Sequence, residues 1–278
     1  MLFFVKPGVG QNDNSMIIAR KLTEIGYEVY VSDEFNFESP FRMSTEDIEK
    51  IKISDIVISV GGDGTMLKTA KIAVMHDKPV LGINTGRVGF LTGFKFEDIE
   101  TIIRNDIDSL IISSRLLLEA NNYLEKNTKP LTAVNDVVIH KGVAPKTAEL
   151  AIFADEALIG EYRCDGFIVS TPTGSTAYSL SAGGPLVFPE LDSIIVTPIS
   201  AHSLSARGIV LSKDCRIRIT ATENNKIELF LSVDSGQTVL MGTEASVEVK
   251  KSKKRLKLLT NSKTDFFELI RQKIIRGE

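Results

Sequence analysis

The stretch Asp55-Ile56-Val57-Ile58-Ser59-Val60-Gly61-Gly62-Asp63-Gly64-Thr65-Met66-Leu67 decides the reading of the first half of the chain. Its short, nearly continuous apolar run is the pattern of a strand buried on both faces, and helical spacing from Met66 to Met75 follows the glycines. Strand, tight loop, helix is therefore the local prediction. Downstream, Lys78-Pro79-Val80-Leu81-Gly82-Ile83-Asn84 is another apolar run. Upstream, Leu2 to Val5 reads as a strand, Ile17, Ile18, Leu22 and Ile25 as a helix, and Tyr27 to Val31 as a second strand, with Gly26 suited to the helix stop between them. Strands alternating with helices predict a Rossmann-like α/β domain with a mainly parallel sheet over residues 1–110.

After residue 111 the runs become short, alternating and β-branched: Leu131 to Ile139, Phe167 to Ser170, Ser193 to Val196, Arg216 to Thr220, Ala245 to Val249. A mainly β, sandwich-like domain is predicted for residues 111–249. Phe266, Phe267, Ile270, Ile274 and Ile275 return to helical spacing, so residues 250–278 are expected to pack back on the first domain. No repeat of 20 to 50 residues is visible, which argues against a solenoid.

The chain has 278 residues, enough for one large or two modest domains, and 43% hydrophobic with 25% charged residues is an ordinary globular balance. Thirty-three Lys and Arg against 36 Asp and Glu leave −3, which supplies no basic field for nucleic acid or an anionic membrane. Cys164 and Cys215 form neither a disulfide framework nor a zinc-binding spacing and read as small buried hydrophobes. No signal-like or membrane-spanning apolar run stands out, so a cytoplasmic protein is expected.

Three stretches carry chemistry. In Gly61-Gly62-Asp63-Gly64-Thr65 the glycines admit a ligand close to the backbone, and amides opening the helix attract phosphate oxygens, so Gly62, Gly64 and Thr65 are candidate nucleotide contacts. Asp63 is out of place in a plain phosphate cradle, which suggests a carboxylate that takes a proton during phosphoryl transfer. The structural alternative is that Asp63 or Thr65 caps the helix. In the second stretch Asn135 and Asp136 interrupt a buried apolar run and must find partners in the protein or in a ligand such as ribose or adenine; an internally satisfied bulge is the alternative. The third, Asp165-Gly166 through Gly183-Gly184-Pro185, sends a strand into a hydroxyl-rich turn with Thr173, Ser175, Thr176, Tyr178 and Ser181, which suits a nucleotide. His76, His140 and His202 read as packing or surface residues. The basic run Lys250 to Lys257 reads as a solvated turn, with a phosphate-rich partner the alternative.

GGDGT, VNDVVIH and DGFIVSTPTGSTAYSLSAGGP, in that order, with Leu204-Ser205-Ala206-Arg207 and Gly82 to Leu91, resemble the NAD kinase family over nearly the whole chain. The resemblance implies ATP-dependent phosphorylation of the 2′-hydroxyl of the adenosine ribose of NAD, with Mg²⁺ or another divalent metal carried on the ATP phosphates rather than by dedicated protein ligands. It further implies Asp63 as the base, Gly64 near the phosphates and Phe90 close to the adenine. Asn135 and Asp136 would hold the dinucleotide's hydroxyls and adenine side, and Asp165 its nicotinamide end. Thr176, Ala177, Tyr178 and Ser181 would line a pocket in a homodimer or homotetramer, across a subunit interface. One departure is Val233-Asp234-Ser235-Gly236-Gln237, where the family often lacks the Ser, and a second is Cys164, where Gly or Ser is common. A lipid kinase would show a Gly-Thr-Gly-Asn-Asp type sequence where this chain has Asn84-Thr85-Gly86-Arg87; a non-catalytic dinucleotide sensor would have no need of Asp63.

Overall fold

The computed structural model describes residues 2–7, 12–32, 45–86, 89–99, 102, 110–122, 129–203, 206–260 and 265–275. Arg87, Val88, Leu204 and Ser205 of the motifs above lie outside them. The chain divides into two compact units, Met1–Arg115 with Leu256–Glu278, and Leu116–Arg255.

The first unit contains β1 (Leu2–Pro7), α1 (Asn12–Glu24), β2 (Glu28–Val31), α2 (Thr45–Ile53), β3 (Ile56–Val60), α3 (Asp63–Met75), β4 (Val80–Asn84) and the short β5 (Phe94–Lys95). The strands β2-β1-β3-β4 run parallel in that order, with β5 parallel beside β4. Because β1 pairs with β2 on one side and β3 on the other, the order reverses there, and in such sheets ligands sit beyond the strands' carboxyl ends at the reversal. The Gly61-Gly62-Asp63 loop leaves the carboxyl end of β3, at that place. Every residue of β3 and β4 is buried, which is why both read as nearly continuous apolar runs. Helix α1 departs from the sequence reading: Ile18 and Leu22 are fully buried, but Ile17 and Ile25 are exposed. Its inner stripe is Ser15, Ile18, Ala19 and Leu22, the i, i+3, i+4, i+7 set, so apolarity alone overstated the buried face.

The second unit is mostly strand, with β6 (Ile111–Asn122) entering it and β7 (Leu131–Ala133), β8 (Asp136–His140), β9 (Ala148–Ala154), β10 (Ala157–Cys164) and β11 (Gly166–Ser170) following. Then come β12 (Ser193–Ile199), β13 (Ile209–Ser212), β14 (Ile217–Ala221), β15 (Leu229–Val233), β16 (Gln237–Gly242) and β17 (Ser246–Thr260). One antiparallel sheet has the order β13-β12-β11-β8-β15-β16; β10-β9-β14-β17 form another antiparallel run. Both contribute to one core, including Val137, Ile139, Phe167 and Val169 from the first and Leu150, Ile152, Ile219 and Val247 from the second. The end of β17 belongs to the first unit, where Leu258 pairs parallel with Val80. The last described elements are the helix Asp265–Ile270 and a wider turn over Arg271–Ile275, with the Phe266 ring 6.2 Å from that of Phe90 and tilted 58° to it.

The basic run is a strand, not a turn. Val247, Val249, Ser252, Leu256 and Leu258 point inward along β17 while the cations between them pair outward. Lys251 pairs with Asp214, Arg255 with Asp192 at 3.1 Å, Lys250 with Glu248 at 3.7 Å and Lys257 with Asp77 at 2.9 Å. Much of the run's charge is thus matched within each unit. Burial pushes the Cys164 thiol up to about 12, so it behaves as a small hydrophobe; Cys215 is half-buried.

His140 closes β8. Its Nδ1 accepts from the Gly142 N–H at 3.1 Å, which leaves the proton on Nε2 to bond Ser232 Oγ at 2.9 Å, and the ring stacks on Phe230. Gly142, at φ +60, is required there because a Cβ would lie 2.7 Å from the Phe230 ring. Burial lowers the His140 pKa from 6.5, so the unfolded chain binds more protons just below that value. The stability this neutral imidazole contributes is present above pH 6.5 and is lost as pH falls through 6.5 toward the folded value. Thermal melts at about pH 7.5 and 5.5 should therefore show a larger fall in Tm for the native protein than for His140→Gln.

Candidate functional site

Val60 ends β3 and the chain turns at Gly61, φ +147, where a Cβ would lie 2.7 Å from Thr65 Oγ1, so only glycine fits. Gly62 is the residue before α3, and no side chain caps the helix. Gly62 and Gly64 are both exposed, and a Cβ on either would meet open space. The leading amides of α3 thus lack a side-chain acceptor and have room above them, the geometry that receives anionic oxygens.

Asp63, the first residue of α3, sends its carboxylate across to the segment after β4 instead of back onto its own helix. Oδ2 accepts from the Phe90 N–H at 2.9 Å; Oδ1 accepts from the N–H groups of Leu91 and Thr92 at 3.3 and 3.2 Å and from Thr92 Oγ1 at 3.0 Å. The helix-cap alternative for Asp63 is thereby set aside. Gly89 lies so close that a Cβ would sit 1.8 Å from Asp63 Oδ1. The Phe90 backbone is fixed by Asp63, and its ring has Lys273 Nζ 5.9 Å from the centroid in addition to Phe266. Gly62, Asp63, Gly64, Thr65 and Phe90 are therefore neighbours in the first unit.

In the second unit the apolar run 131–140 is two strands, β7 and β8, separated by a bend at Val134 and Asn135. The bend is held by a residue that sequence reading did not single out as a ligand or anchor. Asp234 Oδ1 accepts from the N–H groups of Asn135 and Asp136 at 2.7 and 3.1 Å, and its Oδ2 from that of Val134 at 2.9 Å. The loop with the extra Ser is thus an anchor: Asp234 and Ser235 take φ +51 and +53, which turns the Asp234 carboxylate onto the bend. The available signal was an Asp at the end of a predicted strand in a turn whose neighbours tolerate left-handed backbone. From the other side, Thr171 N–H donates to Asn135 O at 2.9 Å and Thr171 Oγ1 to Val134 O at 2.7 Å. Gly174 touches the same bend, since a Cβ there would fall 2.2 Å from Asn135 O.

Asp136 is buried at the head of β8 opposite Ser170. Asn135 Oδ1 and Thr173 Oγ1 are buried and have no hydrogen-bond partner in the protein, although the backbone N–H and C=O of Asn135 are both bonded. Ser175 differs from its expected role as a direct contact: its hydroxyl is completely buried, donates toward Pro172 O or Val187 O, and accepts from Val187 N–H at 3.1 Å. Its side chain shapes the turn. Thr176 Oγ1 bonds Thr173 O at 3.3 Å and Ala177 N–H bonds Gly174 O at 2.9 Å, leading into the helical turn Tyr178–Ser181, on which Tyr178 and Ser181 are exposed. Asp165 stands at the other end of β11, roughly 20 Å along the strand from Thr171, and is paired with Lys141 Nζ at 3.0 Å. Among the described residues no three His, Cys, Asp or Glu side chains gather as a metal cage, and no helix is long and apolar enough to cross a membrane.

The family model for the ATP-NAD kinase N-terminal domain matches residues 1–109, and that for the ATP-NAD kinase C-terminal domain matches residues 134–261. The chain belongs to the NAD kinase family. An NAD kinase of Clostridium beijerinckii is 36% identical over 249 residues, 88% of this chain and 87% of that one. One from Heliobacterium modesticaldum is 39% identical, covering 84% and 83%. The solved NAD kinase of Archaeoglobus fulgidus in complex with ATP superimposes with a TM-score of 0.78 at 26% identity, covering 97% of both chains. Yeast NADH kinase complexed with NADH shares the fold, with a TM-score of 0.84 at 24% identity over 99% of this chain and 87% of that one. Members of the family are ATP-dependent phosphotransferases, and the glycine loop and the Asn135 bend fall one in each matched domain.

Two substitutions probe these anchors. Asp234→Ala leaves three amides of the bend without their acceptor and should cost about 3–5 kcal/mol, read as a lowered urea midpoint. Gly89→Ala forces the 89–92 segment off Asp63 and should lower NADP formation at least about tenfold in a coupled dehydrogenase assay.

Proposed function

We propose that this chain transfers the γ-phosphoryl group of ATP to the 2′-hydroxyl of the adenosine ribose of NAD, giving NADP and ADP. The observation that carries the dinucleotide reading is the pair of buried, partnerless oxygens, Asn135 Oδ1 and Thr173 Oγ1, the first in the bend and the second in the turn whose Gly174 approaches it. Such oxygens are costly unless a ligand completes them, and ribose hydroxyls and the adenine amine have the matching donors and acceptors. In this reading Asp136, Thr176, Ala177, Tyr178 and Ser181 also serve the dinucleotide, with Ser175 acting through the turn it shapes. Asp165, a strand's length away, serves the nicotinamide end of an extended dinucleotide.

The exposed start of α3 at Gly62, Gly64 and Thr65 takes the phosphate oxygens, and Phe90 offers its ring to the adenine. Asp63 accepts the proton of the 2′-hydroxyl as that oxygen forms its bond to the γ-phosphorus and the bond to the bridging oxygen of ADP breaks. A divalent cation such as Mg²⁺, carried on the nucleotide's phosphates, would neutralise phosphate charge there. Positioning and electrostatics rather than base strength then supply most of the acceleration. Inorganic polyphosphate is the alternative donor. The parallel order β2-β1-β3-β4 supports a Rossmann-like reading in the broad sense of a doubly wound α/β sheet, and the proposed working form is a homodimer or homotetramer in the cytoplasm, with pockets completed across subunits.

The test incubates purified protein with NAD, ATP and Mg²⁺ and reads NADP with an NADP-specific dehydrogenase. Native protein should make NADP. Asp63→Asn should lose roughly 10²–10⁴-fold in kcat while binding NAD. Asn135→Ala should raise the KM for NAD with a smaller change in kcat. Native protein that binds NAD yet makes no NADP with either donor would return the reading to a dinucleotide sensor.

A further inference from the structure

The four donors on Asp63 are divided unequally. Oδ1 receives three, from Leu91 N, Thr92 N and Thr92 Oγ1; Oδ2 receives one, from Phe90 N. A carboxylate oxygen presents about two lone-pair directions, so Oδ1 is saturated and Oδ2 keeps one direction open. The hydroxyl of Thr92 decides this division. Asn84 Nδ2 donates to Thr92 Oγ1 at 2.8 Å and Gly89 N–H donates to it at 3.1 Å. Both lone pairs of the hydroxyl are then occupied, and its proton has one recipient, Asp63 Oδ1. The Asn84 amide cannot be turned over, because its Oδ1 accepts from the Gly86 N–H at 2.7 Å. Thr92 is fully buried and Asn84 is 5% exposed, so water does not compete for these bonds.

We infer that Thr92, oriented by Asn84 at the end of β4, is a positioning residue that locks Asp63 Oδ1 and thereby presents Oδ2 as the oxygen that takes the ribose proton. Neither residue touches substrate in this scheme; both act through Asp63. The inference rests on the kinase reading above and adds to it which carboxylate oxygen reacts and what holds it there. A carboxylate free to rotate about its χ2 would exchange its oxygens and spend part of its time with no open lone pair toward the hydroxyl, a loss felt in turnover rather than in binding.

The experiment measures kcat and the KM values for NAD and ATP in the native protein, Thr92→Val, Thr92→Ser and Asn84→Ala, with thermal melts of each. Thr92→Val removes the hydroxyl at nearly constant shape and should lower kcat roughly 10- to 100-fold, with both KM values within about twofold. Thr92→Ser restores the donor and should recover kcat to within about threefold of native. Asn84→Ala leaves the hydroxyl unoriented and should fall between them. If Thr92→Val does not melt cooperatively, Asn84→Ala and Thr92→Ser decide by the same criteria. An unchanged kcat in Thr92→Val, a loss that appears in the KM values instead, or failure of Ser to recover turnover would each overturn the inference while the kinase reading stands. Absence of NADP from the native protein would overturn both.

Discussion

A carboxylate that collects backbone amides from a distant segment can impose one conformation on a stretch of chain that has no regular hydrogen-bond ladder of its own, and the chemistry-bearing parts of this protein depend on that interaction. The Gly89–Thr92 segment is neither helix nor strand, so its amides would otherwise turn to water. Asp63 gathers three of them together with a hydroxyl. The segment is thereby fixed to the first turn of α3, and the carboxylate is fixed in return. Hydrogen bonds to a charged acceptor are among the stronger ones available, which is why four of them can hold a loop against its conformational entropy.

The second unit uses the same device independently. Asp234 collects the amides of Val134, Asn135 and Asp136, and the result is a bend at which the chain passes from a strand of one sheet to a strand of another. Thr171 and Gly174 close the bend from the other side, one by hydrogen bonding and the other by having no side chain. With its backbone satisfied, the bend can leave Asn135 Oδ1 without a partner, and Thr173 Oγ1 is left in the same condition. A buried polar atom without a partner in the protein carries a free-energy cost that a hydrogen bond from a ligand or a water would relieve. In each unit the shape of a loop is decided by one charged acceptor, and the sheets supply the rigid ends from which those loops start.

Much of the architecture was legible in the residues. Nearly continuous apolar runs marked β3 and β4 because those strands are buried on both faces, and the glycines after Val60 marked the loop because only glycine meets the close contact at Gly61. Other features misled for identifiable reasons. Ile17 and Ile25 look like core by composition, yet the buried stripe of α1 is completed by Ser15 and Ala19, since angular position on the helix outweighs hydrophobicity. The run from Lys250 to Lys257 looks like a solvated turn until the small Ser252 and apolar Leu256 are seen to alternate inward along a strand whose cations find carboxylates on neighbouring segments. Ser175 belongs to the nucleotide-like motif but turns its hydroxyl entirely inside.

The sequence by itself determined the alternation of strand and helix in the first unit, the mostly β character of the second, the position of the glycine loop at a strand's carboxyl end and the family to which the chain belongs, because these follow from local periodicity and contiguous motifs. Tertiary structure alone decided the partners: Asp63 with residues 27 to 29 positions away, Asp234 with residues about 100 positions away, and Asn84 with Thr92 and through it with the catalytic candidate. Such pairings leave no trace in spacing, because a side chain's hydrogen-bond partner is set by where the sheet brings distant segments together and not by distance along the chain.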